Sequence, residues 1–154
     1  MFAWHLLACR VAMKEPRQGR MFTLSHQPMN SKTNSLNWFE IPATDIKRAK
    51  KFYETVFNIT MEDMEMGPMQ AAMFPMEGGS GKANGSISQS PMHTPSLIGC
   101  VIYLNADPDL SDALGRVEQA GGKVTMPKTG IGPNGFMAFF VDTEGNQMAM
   151  HSNA

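Results

Sequence analysis

One arrangement of strand and helix signals occurs twice in this chain, and it limits the fold more than any single motif does. In the first copy Trp38-Phe39-Glu40-Ile41 alternates, and Pro42, which has no N–H for a ladder, stops the strand. Thr44 or Asp45 can cap the helix that follows. Its apolar residues, Ile46, Ala49, Phe52, Tyr53 and Val56, recur at three- and four-residue spacing, opposite Lys47, Arg48, Lys50, Lys51 and Glu54. Three further strands are expected at 59–66, 69–74 and 86–90, separated by Gly67-Pro68 and by the loop Glu77–Gly85. The second copy has a buried strand at Leu97–Leu104, then a helix at Pro108–Ala120 that starts at Asp107-Pro108 and stops at Gly121-Gly122. Strands follow at Lys123–Met126, Phe136–Val141 and Gln147–His151, with a turn-rich connection over Lys128–Gly135. Gly67-Pro68 returns as Gly132-Pro133, and Met73-Phe74 as Phe139-Phe140, at nearly the same offset. So long a period means two copies of one supersecondary unit, not a solenoid array. The fold class is therefore α+β. With one helix per sheet, the other face of each sheet must meet a partner or enclose a cavity.

At 154 residues the chain is long enough for one domain with its own core. The formal net charge is −1, with both signs interspersed, which leaves no footprint for nucleic acid or a membrane surface. Cys9 and Cys100 are too few for a disulfide framework or a zinc ribbon, which suits a reducing cytoplasm. No stretch approaches the ~18 apolar residues of a spanning helix. Residues 1–33 differ from the rest and are expected to be a disordered leader, or sequence ahead of a true start at Met21. The apolar run Met1–Cys9 lacks the basic start of a signal peptide, and Leu6-Leu7-Ala8-Cys9 matches a lipoprotein cleavage box only in part. The folded domain is expected over 34–154, as modules 35–90 and 97–152.

Three motifs carry a resemblance that covers roughly residues 35 to 152. They are Ile41-Pro-Ala-Thr-Asp-Ile-Lys-Arg-Ala-Lys-Lys-Phe-Tyr-Glu-Thr-Val-Phe57, Val117-Glu-Gln-Ala-Gly-Gly-Lys-Val124 and Phe140-Val-Asp-Thr-Glu-Gly-Asn-Gln147. In these the chain resembles the vicinal oxygen chelate superfamily of glyoxalase I, bleomycin-resistance proteins and extradiol dioxygenases, and within it the small glyoxalase-related proteins. The resemblance implies two βαβββ modules whose mixed sheets curl around a cleft, usually in a homodimer. It also implies a divalent metal held by His or Glu from the first and last strands of each module, which polarises vicinal substrate oxygens. The matching positions here hold Trp38, Ser86 or Ser88, Val101 and Ala149. None is an imidazole or a carboxylate, so no metal and no other cofactor is expected, and metal-dependent glyoxalase I activity is not expected either.

Strand parity then sorts the neighbours. If Trp38 faces the cleft so does Glu40, with Phe39 and Ile41 under the helix. If Ala149 faces it so do Gln147 and His151, with Met148 and Met150 turned inward. Val101 and Tyr103 share that face on the second module's first strand. An indole, a phenol, a carboxylate and an imidazole on an apolar surface suit a small-molecule site. Glu40, partly desolvated beside Trp38, is the candidate general base, and His151 is its candidate proton partner; the alternatives are an ion pair or a wet interface for Glu40 and a solvated strand end for His151. His93, between two prolines, is expected to be exposed, and Cys100, on a buried strand, to be inert. The cluster Met61, Met64, Met66, Met69, Met73 and Met76 offers thioethers that suit Cu(I). Alternation along two strands is expected to divide those sulfurs between faces, so they read as adaptable core or pocket lining. Gly78-Gly79-Ser80-Gly81 and Gly130-Ile131-Gly132 read as hairpin connections or lids, since neither joins a strand to a helix start.

Two functions remain open on these residues. One is a metal-free module that binds a small, partly apolar molecule, as bleomycin-resistance proteins do. The other is a lyase or isomerase of the glyoxalase-related type with Glu40 as base.

Overall fold

The computed structural model describes residues 34, 36–78 and 82–154. The expected leader at 1–33 lies outside the described residues, as does the centre of the glycine-rich loop at 79–81. The order of elements is β1 (Trp38–Pro42), α1 (Ile46–Phe57), β2 (Glu62–Met66), β3 (Met69–Met73), β4 (Asn84–Gln89), β5 (Tyr103–Asn105), α2 (Ser111–Val117), β6 (Lys123–Gly130), β7 (Phe136–Val141) and β8 (Gln147–Ser152), with a 3-10 turn at Gly132–Asn134. They form two four-stranded sheets, β1-β4-β3-β2 and β5-β8-β7-β6. In each, the first and last strands pair in parallel and the other pairs are antiparallel. This is the α+β arrangement of paired βαβββ modules, with the sheets curled but not closed.

Asp45, not Thr44, caps α1, and its carboxylate accepts the N–H groups of Lys47 and Arg48 at 3.1 and 3.0 Å. The apolar stripe Ala49, Phe52, Tyr53 and Val56 is fully buried. It joins Ile41 and Ile87 of the first sheet, Leu110 and Val117 around α2, and Phe140 and Met150 of the second sheet in one core. Gly85 is required where β1 meets β4, because a Cβ there would overlap both the ring and the carbonyl oxygen of Phe39.

Several elements differ from the sequence expectation. Residues 97–102 are not strand. The chain bonds to β8 at Ser96, through the Gln147 N–H, and again at Ile102, through the Ala149 N–H, and loops outward in between. Gly99, at φ 136°, supplies a backbone conformation within this excursion that other residues rarely adopt. Val101 is therefore off the sheet, Ile98 is 90% exposed, and Cys100 is exposed instead of buried. Helix α2 is shorter than its apolar stripe implied. It starts at Ser111, whose N–H goes to the Asp109 carboxylate, while Asp107 is engaged with Asn153 at the C-terminal end. Strand β6 continues through Lys128 to Gly130, and register shifts on either side of Met126 accommodate Pro127.

The methionines also depart from expectation. In the β2–β3 hairpin Met66 pairs with Met69, Met64 with Ala71 and Glu62 with Met73. Paired residues share a face, so Met64, Met66, Met69 and Met73 lie together on the side away from the helix, and the sulfurs are not divided. Met61 alone of this group is in the core.

Candidate functional site

The sheet faces opposite the helices carry the candidate residues in rows set by strand register. On the first sheet one row is Glu40, Ser86, Met73 and Glu62, flanked by Trp38 beside Asn84 and by Pro42, Ser88, Ala71 and Met64. On the second, Tyr103, Ala149 and Phe139 form one row and Asn105, His151 and Met137 the next. Strand parity thus places Trp38 with Glu40, and Gln147 with Ala149 and His151, as expected. Tyr103 is opposite Ala149, whereas Val101 lies outside the ladder. Trp38 and Tyr103 are 39% and 48% exposed, large apolar surface left open to solvent. Ser86 and Ser88 are buried, and their hydroxyls are bonded to one another at 3.0 Å.

Glu40 is not alone. Its Oε2 lies 2.7 Å from His93 Nε2, and His93 Nδ1 lies 2.7 Å from Ser90 Oγ. His93, expected to be exposed in the linker between modules, has a side chain only 11% exposed. The turn Ser90-Pro-Met-His93 explains this. The Met92 N–H donates to Ser90 Oγ and the His93 N–H to the Ser90 carbonyl, and together they fold the imidazole back onto β1. A neutral imidazole that donates from Nε2 to the Glu40 carboxylate accepts the serine hydroxyl at Nδ1. Sequence order hid this contact; the only signal was the Ser-Pro turn start, and it does not say where the turn points. His151 has a different partner, the Asn134 carbonyl at 2.7 Å, so the imidazole that engages Glu40 is His93 and not His151.

The cavities follow from these placements. Glu40 and Gln147 share one of about 260 Å³ beneath the looped-out segment, with Ser96, Ile98 and Met148. A more apolar one of about 400 Å³ opens between β1 and β5, lined by Leu36, Phe39, Phe57, Phe74, Ile102 and Tyr103 among others. Ser90 and His93 border a third, polar cavity of about 440 Å³ with Gln70 and Gln89.

The second module is docked on the start of α1 by the turn between β7 and β8. Glu144 Oε2 accepts the N–H groups of Thr44 and Asp45 at 2.8 and 2.9 Å and the Thr44 hydroxyl, while Arg48 reaches both carboxylate oxygens. Burial raises the Glu144 pKa, but Arg48 and these donors outweigh it and hold the carboxyl at about 2. Buried Asp142 accepts the Tyr53 hydroxyl at 2.8 Å and the Asn146 amide at 2.9 Å, and Asn146 also reaches the Pro42 carbonyl. Burial, then the charge of Asp142, pushes the Tyr53 phenol well above its ordinary value, so it stays a donor. This polar network therefore fixes the two modules against each other.

The donor set does not fit the divalent metal that the resemblance implies. Trp38, Val101 and Ala149 have no metal-binding atom, Ser86 and Ser88 offer only hydroxyls bonded to each other, and among the described residues no three of His, Cys, Asp and Glu converge. Also among the described residues, no helix is long and apolar enough to cross a membrane.

Comparison with known proteins agrees with this architecture. A protein of Didymella fabae named a glyoxylase-like domain-containing protein is 33% identical over 126 residues, which is 75% of this chain and 91% of that one. CFP32 of Mycobacterium bovis, which carries a provisional glyoxylase name, is 31% identical over 111 residues; the match takes in 71% of this chain but only 42% of CFP32. Among solved structures, TnmS3, an antibiotic binding protein from Streptomyces sp. CB03234, superimposes with a TM-score of 0.57 at 21% identity, over 81% of this chain and all (100%) of that one. Glyoxalase I of Zea mays does so with a TM-score of 0.56 at 16% identity, over 75% of this chain and 45% of its own. The family model described as Glyoxalase/Bleomycin resistance protein/Dioxygenase superfamily matches residues 35–150, and the chain belongs to that superfamily.

Proposed function

We propose that this protein binds a small, partly apolar molecule between its two modules, without the family's metal. The observation that supports this reading is that Trp38 and Tyr103, on the first strands of the two modules, are both exposed aromatics, and that the cavity at Tyr103 and the one at Glu40 contain no charged residue apart from Glu40 itself. Val101 and Gln147 would contribute surface and His151 a polar margin, whereas Ser86, Ser88 and Ala149 are buried and would not touch the ligand. The antibiotic binding protein that shares this fold makes a sequestering role a natural one. A homodimer in the cytoplasm would cover the remaining sheet surface. The test is titration with Nile red, a neutral aromatic dye. Trp38→Ala or Tyr103→Ala should weaken dye binding about tenfold, the effect of losing ~1.4 kcal/mol of contact. Dye affinity unchanged in both variants would overturn the reading.

The Glu40–His93 contact favours a second reading, a lyase or isomerase in which Glu40 removes a proton and His93, not His151, holds it in place. Glu40→Gln separates the two. A binder keeps most of its affinity, whereas an enzyme loses ~10²-fold or more of its turnover.

A further inference from the structure

The β2–β3 hairpin carries a feature that the small-molecule reading does not use. Met64, Met73 and Met76 line one cavity of about 270 Å³, with Glu62 and Thr60 at its margin. Strand register puts Met64 and Met73 on the same face, and the chain leaving β3 through Phe74-Pro75 returns Met76 to the same cavity. Met73 lies two strands from Glu40 along one row, about 10 Å away, so this place is separate from the Glu40–His93 pair.

Methionine is among the residues most often buried, and here Met64, Met66 and Met76 are 38, 56 and 61% exposed. Apolar packing therefore does not account for them. β2 is an edge strand, exposed at all five of its positions, and of its three carboxylates Glu62 shares the methionine face while Asp63 and Glu65 point to the other. Lys50 neutralises Asp63 from the other face, whereas Glu62 stands on the methionine side. Neutral thioethers are soft ligands and bind poorly to Zn²⁺, Ni²⁺ or Mg²⁺, but they suit a monovalent soft cation. Acidic neighbours raise the local concentration of any cation.

We propose that Met64, Met73 and Met76 form a site for Cu(I), with Glu62 supplying charge and not a bond. The site takes the metal as a bound ion and involves no electron transfer. It is independent of the ligand proposed above.

The experiment uses the full chain with Cys9→Ser and Cys100→Ser, which removes the thiols that would otherwise take the metal. Cu(I), kept reduced with ascorbate, is titrated in competition with bicinchoninate. One Cu(I) per chain is expected. Leucine at all three methionines, a nearly volume-conserving change, should abolish it. Each single leucine variant should weaken it by at least the ~10–100-fold that even outer-sphere partners of a metal are worth. Met66→Leu/Met92→Leu, which removes exposed thioethers outside the cavity, should leave it unchanged, and circular dichroism confirms that each variant is folded. No Cu(I) retained by the parent, or equal retention by the triple leucine variant, would overturn the proposal.

Discussion

The two modules have one topology and very different construction. The first has a five-residue opening strand and a 12-residue helix with a side-chain cap, whereas the second has a three-residue strand and a seven-residue helix without one. The second makes up for this in its sheet, where β6, β7 and β8 have eight, six and six residues. Chemistry divides in the same way. Glu40, its His93 partner, the paired serines and the exposed methionines belong to the first sheet or to the linker beside it. The second sheet presents Tyr103, Phe139 and Met137 with the polar Asn105, Gln147 and His151 but no carboxylate, and Tyr103 is edge-on to Phe139 at 5.7 Å. A repeated fold therefore repeats the scaffold and leaves each copy free to lose or gain side-chain function.

The modules depend on each other through the turn that holds Asp142, Glu144 and Asn146, so the largest effects are expected there. Asp142→Ala should destabilise the protein by about 3 kcal/mol, because it strands the buried Tyr53 hydroxyl and the Asn146 amide. Tyr53→Phe removes one donor and leaves Asp142 its other bonds, and should cost about 1 kcal/mol. Urea unfolding measures both. Equal costs for the two would mean that the carboxylate serves only the tyrosine and is not a hub.

Next in size is the response to acid. The Glu144 pKa in the folded chain is about 2, below the ordinary carboxylate value. A depressed pKa gives stability that is present above the ordinary value and is lost as pH falls toward the folded one. Wild type should therefore lose stability between about pH 4.5 and pH 2 on account of this group, and Glu144→Gln should not show that component. At pH 7 the variant should be less stable by about 2 kcal/mol, allowing for screening by solvent around half-exposed Arg48. Parallel stability–pH curves for the two proteins would show that the turn docks through packing and not through charge.

The helix caps come third. Asp45→Ala should cost about 1 kcal/mol by freeing the Lys47 and Arg48 N–H groups. Asp109→Ala in the second module should cost less, because its carboxylate is exposed and receives only one helix N–H, along with Lys128. An equal or larger cost for Asp109→Ala would reverse the ranking of the two helix starts.

Local pattern made the scaffold legible. The α1 stripe, the proline stop at Pro42 and the turn glycines each follow from a short window of sequence, and they gave the element order of both modules. Parity along β1 and β8 also placed Trp38, Glu40, Gln147, Ala149 and His151 on their faces without a structure. Contacts between distant segments were not legible. The His93 imidazole reaches Glu40 only because a turn in the linker folds back, and the four hairpin methionines share a face only because β2 and β3 pair in one particular register.

The smallest predicted effect tests where pattern reading failed. Leu97-Ile98-Gly-Cys-Val-Ile102 reads as a buried strand because it is apolar throughout, and on that reading Ile98→Ser would cost 2 kcal/mol or more, the usual price of emptying a core position (~2–5 kcal/mol). In the structure β8 finds acceptors at Ser96 and Ile102 and needs none between them, so the intervening residues are free to leave the sheet. Ile98, 90% exposed, should then tolerate serine within about 0.5 kcal/mol. Ile87→Ser, at a fully buried position of the first module's closing strand, should be far more damaging. The isoleucine in the apolar run would thus cost less than the one between two serines in Asn84–Gln89, because only the latter run is bonded residue by residue to its neighbours. If Ile98→Ser proves as costly as Ile87→Ser, the 97–101 segment is covered in solution, and a partner surface over the β1–β8 cavity becomes the first thing to look for.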